Sequence, residues 1–277
     1  MSQPLFPVYE LTEPQTESWF RISPERGGIM TSLGLHGREL LYMDQGTFDD
    51  PDANVRGGNP ILFPISGQAA DGQYEWNGHT YPMKNHGVAR TLPWSIESQT
   101  SSSITVTQRF TSDTLFLYPF QYQLRFTYAL KDGILEINQQ YRNLGDESMP
   151  MYAGHHPYFI SDSHNLTYYT DATHATEGTD VSPFTGSVDL NGKTTSVLLT
   201  GAEQRSISFR PVANAAPIRM TYGPEFKVVV LWAVPGEPFI CVEPWMARPL
   251  EIHRQEELVI VPAGGSIDTF LTIALGE

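Results

Sequence analysis

Glu243 lies in the run Phe239-Ile240-Cys241-Val242-Glu243-Pro244-Trp245-Met246-Ala247-Arg248-Pro249, where it ends a strongly apolar stretch. A carboxylate so placed is either a partnered, functional group or a group at a strand mouth, solvated or paired with an arginine, because an unpaired buried charge is costly. The run Gly154-His155-His156-Pro157-Tyr158-Phe159 supplies two imidazoles. The residue before a proline is biased towards extended geometry, and neighbours on an extended chain point to opposite faces. At most one of these histidines therefore faces a given pocket, which argues against a shared metal. Lys84-Asn85-His86-Gly87-Val88-Ala89-Arg90 couples an imidazole, His86, with a guanidinium, Arg90, a pairing suited to a polyol or an anion. Asn54-Val55-Arg56-Gly57-Gly58-Asn59-Pro60 sets Arg56, a planar donor, before two glycines. Those glycines read either as a turn into a buried strand or as a place where backbone approaches a ligand closely.

Other chemistries find less support. No His, Cys, Asp or Glu set has zinc spacing, and neither a Gly-x-Ser-x-Gly elbow nor a phosphate loop occurs. Cys241 stands two residues from Glu243 in an apolar strand; both conditions disfavour thiolate, so it is not read as a nucleophile. His36, His79, His164, His174 and His253 lie among turn or polar residues and are expected at the surface.

The elements that must position these groups are strands. In Gln121–Leu130, Tyr122, Leu124, Phe126, Tyr128 and Leu130 alternate with Gln123, Arg125, Thr127 and Ala129. Gly133–Arg142 repeats the alternation after Lys131-Asp132-Gly133, which predicts an antiparallel hairpin. Ser103–Phe110, Arg205–Arg210, Ile218–Tyr222, Phe226–Trp232, Phe239–Glu243 and Ile267–Leu275 also read as strands. Leu250–Glu257 is the one helical candidate, and the polar stretch Asp171–Thr200 reads as long surface loops. Many strands without intervening helices predict an all-β antiparallel sandwich. No composition shift marks a linker, so one domain over residues 1–277 is expected.

With 40% hydrophobic residues the chain has enough apolar surface for one large core, and 23 glycines and 21 prolines provide for many turns. The formal net charge of −14 repels nucleic acid and anionic membranes as general partners, though a few local arginines can still hold a small anion. A single cysteine allows no intrachain disulfide. Met1 to Glu10 has no basic region followed by a long apolar run, and Val228–Val234 is too short to span a bilayer. No signal peptide, no membrane span and a cytoplasmic location are therefore expected.

Taken in order, the segments resemble the aldose 1-epimerase (galactose mutarotase-like) superfamily, and within it the branch related to glucose-6-phosphate 1-epimerase. Arg56-Gly57-Gly58-Asn59-Pro60 is similar to that branch's Arg-Gly-Gly-x-Pro, and His86-Gly87-Val88-Ala89-Arg90 to its His-Gly-aromatic-Ala-Arg, with Val88 in place of the aromatic. His156-Pro157-Tyr158-Phe159 resembles the family's His-Pro-Tyr-Phe, and Cys241-Val242-Glu243-Pro244 places Glu243 where the family has its base. Val259–Ser266 resembles the closing strand and turn.

The resemblance implies a large β-sandwich of the galactose mutarotase-like supersandwich type and a cofactor-independent isomerase acting on a small sugar or sugar phosphate. It implies His156 as general acid and Glu243 as general base, on opposite sides of the sugar ring, opening and closing a hexose or hexose 6-phosphate. An ionised Glu243 is expected to raise the His156 pKa. Arg56 would orient hydroxyls or a phosphate, His86 would hold the ring, Trp232 would pack on the sugar face and Arg90 would select phosphate over hydroxyl. No metal is required. The rival class is a noncatalytic carbohydrate-binding protein on the same fold, which would not need His156 and Glu243 together. A metal-dependent hydrolase is a third class, without a visible ligand set.

Overall fold

The computed structural model describes residues 5–193 and 195–276; Met1–Pro4, which open the stretch read for a leader, lie outside them. The alternation in the sequence becomes two large antiparallel sheets of nine and eight strands, accompanied by smaller sheets of four and two strands. Tyr122–Lys131 pairs with Ile134–Asn143 from Tyr122↔Asn143 to Lys131↔Ile134, the hairpin that the period predicts. Asp132 and Gly133 both have positive φ, 53° and 74°, as a tight two-residue hairpin turn requires. The Glu13 carboxylate accepts from both turn amides at 2.9 and 2.8 Å.

The apolar members of this hairpin point at the other large sheet. Phe126 lies 6.3 Å from the His155 ring, and Phe63 packs on Tyr122 at 4.9 Å and edge-on to Tyr118 at 5.6 Å. One apolar cluster runs from Leu11 to Ile273 and holds the two sheets face to face. Each fully buried large apolar side chain contributes about 1.5–3 kcal/mol.

Among the described residues the α-helices are Gln45–Asp49, Ser112–Leu115 and Glu251–Arg254. The helix read over Leu250–Glu257 is cut to Glu251–Arg254, because Leu250 and Gln255 flank it in the left-handed region at φ 65° and 54°. None is long and apolar enough to cross a membrane. Asp171–Thr200 departs from its reading as loops: it contains strands His174–Glu177, Asp180–Pro183, Ser187–Asp189 and Val197–Thr200. His174–Glu177 and Asp180–Pro183 finish one end of the eight-stranded sheet, and Ser187–Asp189 is an edge of the nine-stranded one. Asp180–Pro183 and Ser187–Asp189 are edge strands with exposed residues, which need no long apolar alternation and so carry little strand signal.

Candidate functional site

Strand Phe239–Trp245 lies inside the eight-stranded sheet, paired with Val228–Trp232 on one side and with Gly154–His155 and Tyr158–Ile160 on the other. Its period of two divides it cleanly. Ile240 and Val242 enter the main core, whereas Phe239 and Cys241 join Tyr158 in a separate apolar cluster on the opposite face. Glu243, two residues on, shares that second face. The strand does not end at Glu243 but continues through Trp245, and the carboxylate is only 1% exposed. Both bland readings of Glu243 are thereby corrected: it is not at a solvated mouth, and it forms no ion pair with an arginine among the described residues. It accepts a hydrogen bond from Trp245 Nε1 at 3.1 Å.

The ladder then dictates its neighbour. Gly154↔Trp245 and Tyr158↔Cys241 run in one antiparallel register, so His156 falls opposite Glu243. Pro157 carries no N–H and interrupts the ladder there, leaving the His156 amide to donate to Asn59 Oδ1 at 3.2 Å. His156 Nε2 lies 3.5 Å from Glu243 Oε2. The two groups are in direct contact rather than on opposite sides of a ring-sized space, which corrects the expected arrangement.

His155 points the other way, into the core. Its Nδ1 accepts from Asn59 Nδ2 at 3.2 Å, and its ring lies between Phe126 and Phe226. Asn59 thus binds both histidines, a positioning role with no signal in the local sequence. The glycines before it serve the chain rather than a ligand. A Cβ on Gly58 would lie 2.3 Å from the Met30 carbonyl oxygen, and φ is +63°. The close approach seen is to protein backbone, which supports the turn reading of this pair.

His86 is buried, with φ 63°, and its Nδ1 accepts from the Gly67 amide at 3.0 Å. Its ring meets His156 edge-on at 5.2 Å and Trp245 at 5.8 Å. A Cβ on the following Gly87 would strike the Phe63 carbonyl at 2.1 Å, which is how this loop packs so close to the pair. Trp232 is half-buried and stands edge-on to His156 at 5.7 Å, while Tyr158 stacks on His156 at 4.7 Å and 10°. Tyr158 was not singled out as a site residue, although its place two residues after His156 on an extended chain predicts a shared face.

Arg90 donates to Asn54 Oδ1 at 2.6 Å and is near enough to His86 and His156 to disfavour a proton on each. Arg56 is exposed, near Tyr158 and Tyr42, and opposes the upward shift of their phenols. A groove of about 640 Å³ includes Asn54, Lys84, Asn85 and Arg90 in its wall, but neither His156 nor Glu243. Arg90 thus joins the groove to the surroundings of the buried pair. His164, expected at the surface, is buried, and its Nε2 bonds the Glu237 carbonyl at 2.9 Å.

Burial governs the charges. It pushes the Glu243 pKa well above the usual carboxylate range, against the smaller opposing effect of the Trp245 hydrogen bond. Burial, with Arg90 second, lowers His156 to about 3. The expected rise at His156 is therefore reversed, because loss of hydration outweighs any attraction to a neighbouring carboxylate. His86 is likewise lowered by burial, then by His156 and Arg90. Cys241 is raised by burial and then by Glu243, in line with its reading as an unreactive thiol.

A stability consequence follows for His155, which burial lowers to about 3 from 6.5. Above pH 6.5 both folded and unfolded forms are neutral, so the contribution is complete. As pH falls from 6.5 towards 3 the unfolded chain takes a proton that the folded one refuses, and stability drops by about 1.4 kcal/mol per pH unit. Urea unfolding at pH 7.5 and pH 5 should show this loss, and His155→Gln should remove part of the slope. The variant should cost about 1–3 kcal/mol at neutral pH through the unpaired Asn59 amide, with turnover of the folded protein near wild type. An unchanged slope, or a catalytic loss matching that at His156, would contradict this placement.

His156, Cys241 and Glu243 offer donor atoms within 4.8 Å of one another, a grouping that linear spacing does not reveal. The expectation of no ligand cluster is corrected to that extent.

Residues 14–211 match the family model described as aldose 1-epimerase. The plasmid-encoded protein LacX of Lactococcus lactis subsp. lactis is 29% identical over 140 residues, 48% of this chain and 45% of that protein. A Cenchrus ciliaris protein, named as a proposed glucose-6-phosphate 1-epimerase, is 27% identical over 150 residues, 49% of this chain and 42% of that protein. The matches thus cover less than half the length of these curated relatives. The crystal structure of the Slr1438 protein from Synechocystis sp. PCC 6803 superposes with a TM-score of 0.93 at 30% identity, covering 99% of this chain and 96% of that one. A galactose mutarotase-like protein from Lactobacillus casei ATCC 334 shares the fold, with a TM-score of 0.81 at 24% identity over 98% of this chain and all of that one.

Proposed function

Because the chain belongs to the aldose 1-epimerase family, we propose that it interconverts the α and β anomers of a hexose or hexose 6-phosphate by acid–base ring opening and closure. The observation that carries this reading is the buried contact between His156 Nε2 and Glu243 Oε2 at 3.5 Å. Mutarotation removes a proton from the C1 hydroxyl and delivers one to the ring oxygen. Both oxygens are bonded to C1, so two neighbouring protein groups such as this pair can serve them. Glu243 takes the hydroxyl proton, His156 gives its own to the ring oxygen, and the C1–O5 bond breaks to leave the open-chain aldehyde. Rotation about C1–C2 and reversal of both transfers close the other anomer.

The pair needs one exchangeable proton to work. Burial favours the state in which Glu243 holds it and His156 is neutral; the working ion pair forms when that proton passes to His156 beneath the bound sugar. Trp232 and Tyr158 provide the apolar wall for the sugar, and His86 holds its near side. Arg56 and Arg90 bind hydroxyls or a phosphate, with Arg90 favouring phosphate. The activity belongs to one domain over residues 1–277, an assignment supported by the apolar cluster running from Leu11 to Ile273. A cytoplasmic setting accords with a buried, free Cys241.

Anomer-resolved proton NMR on free and 6-phosphorylated hexoses tests the reading. Pure anomers should equilibrate faster with the protein than without it. Binding of a sugar with no acceleration for either class would move the protein to the carbohydrate-binding reading. Dialysis against a chelator should not lower the rate, since neither transfer uses a metal. A loss restored by added metal would favour the hydrolase class instead.

A further inference from the structure

The acid–base pair has a third donor beside it that mutarotation does not use. Cys241 and Glu243 lie two residues apart on one face of Phe239–Trp245, and His156 faces them across the interrupted ladder. All three are buried, with candidate ligand atoms within 4.8 Å of one another. His156 Nδ1 is buried without a hydrogen-bond partner among the described residues, so the ring retains an unused polar atom. We propose that Cys241, His156 and Glu243 form a three-donor site for zinc, through which zinc inhibits the protein by capturing its acid and base together.

The donor chemistry selects the ion. Thiolate, imidazole and carboxylate together suit zinc, whereas magnesium and calcium take all-oxygen sets. Zinc–ligand lengths of about 2.0–2.3 Å put the ligands of a tetrahedral site roughly 3.5 Å apart. Side-chain movements of about 1 Å would therefore close the present arrangement, leaving the fourth position to water. The ion displaces two protons to solvent, that of the Cys241 thiol and the one that Glu243 holds, and bonds to sulfur, carboxylate and neutral imidazole; no electron is transferred. Zinc and sugar then exclude one another, because both need Glu243 and His156.

The metal site rests on the proposed function only for its inhibitory consequence, so binding and turnover are measured separately. Zinc is titrated calorimetrically into wild type and Cys241→Ser, with Cys241→Ala as a second variant and thermal unfolding to verify the fold. Cobalt is added in parallel to read a sulfur-to-metal charge-transfer absorption. Wild type should bind one zinc that is displaced by chelator, and show the cobalt–sulfur band. Either variant should weaken that binding by at least about a hundredfold, since losing even an outer-shell partner costs about 10–100-fold. Zinc should suppress wild-type epimerisation competitively with sugar, magnesium should not, and the Cys241 variants should keep turning over in zinc. Absence of zinc binding, or equal binding by wild type and both variants, overturns the site. Zinc binding as described in a protein that epimerises no hexose overturns the proposed function and leaves the site standing.

Discussion

Glu243→Gln is expected to lower turnover by about a thousandfold, within the range for loss of an acid–base group, while sugar affinity changes little. Glutamine has the same shape, and its carbonyl can still accept from Trp245 Nε1, as Glu243 does now at 3.1 Å. The pocket should therefore keep its geometry. What disappears is the carboxylate proposed to accept the C1 hydroxyl proton. The Cys241 thiol is held protonated by burial, and His86 Nδ1 already accepts from the Gly67 amide. Stability should be unchanged or higher, because a buried carboxyl gives way to a neutral amide. Turnover by anomer-resolved NMR and affinity by calorimetry on the same protein separate the outcomes. A Glu243→Gln protein that turns over like wild type would leave Glu243 as a hydroxyl-binding or structural group and make carbohydrate binding the better account.

The residues that expose the limits of the sequence lie close to this carboxylate. Period two was legible wherever one strand face meets the core and the other meets water, as in Tyr122–Lys131. It disappears in Phe239–Trp245, buried on both faces, and there Pro244 reads as a stop although the strand passes through it. The same alternation correctly sends His155 and His156 to opposite sides, because it needs only local geometry. The bridge from Asn59 to both histidines is invisible in one dimension, since its partners lie 96 and 97 residues away. So is the approach of Cys241 and Glu243 to His156. The direction of the His156 shift is hidden for a related reason: nearness to a carboxylate can be read from motifs, but complete loss of solvent cannot, and the solvent effect is the larger.

His156→Asn should cost about a hundredfold or more in turnover, and its pH dependence should identify the proton that is lost. With one proton the wild-type pair is neutral overall, whichever member carries it. Removing that proton leaves a net negative charge in a buried pocket; adding a second leaves a net positive one. Burial opposes both, so the one-proton state should persist over a wide range, and the limbs belong to the pair rather than to either residue. The acid limb is the second protonation, at His156, which is lowered to about 3. The alkaline limb is loss of the proton that Glu243 holds above the usual carboxylate range. Independent groups at their ordinary pKa values would instead give a carboxylate limb in acid and an imidazole limb in base. The wild-type rate should be flat below pH 6.5 for as far as the fold survives the titration of His155. In His156→Asn no protein acid remains to be lost, and only ionised Glu243 can act, so the residual rate should rise with pH through the raised carboxylate pKa and then level. Rates of both proteins across a pH series, taken where unfolding curves show the native state, decide the matter. A wild-type acid limb at an ordinary imidazole pKa, or a His156→Asn rate with the wild-type pH profile, would rule out the shared-proton mechanism.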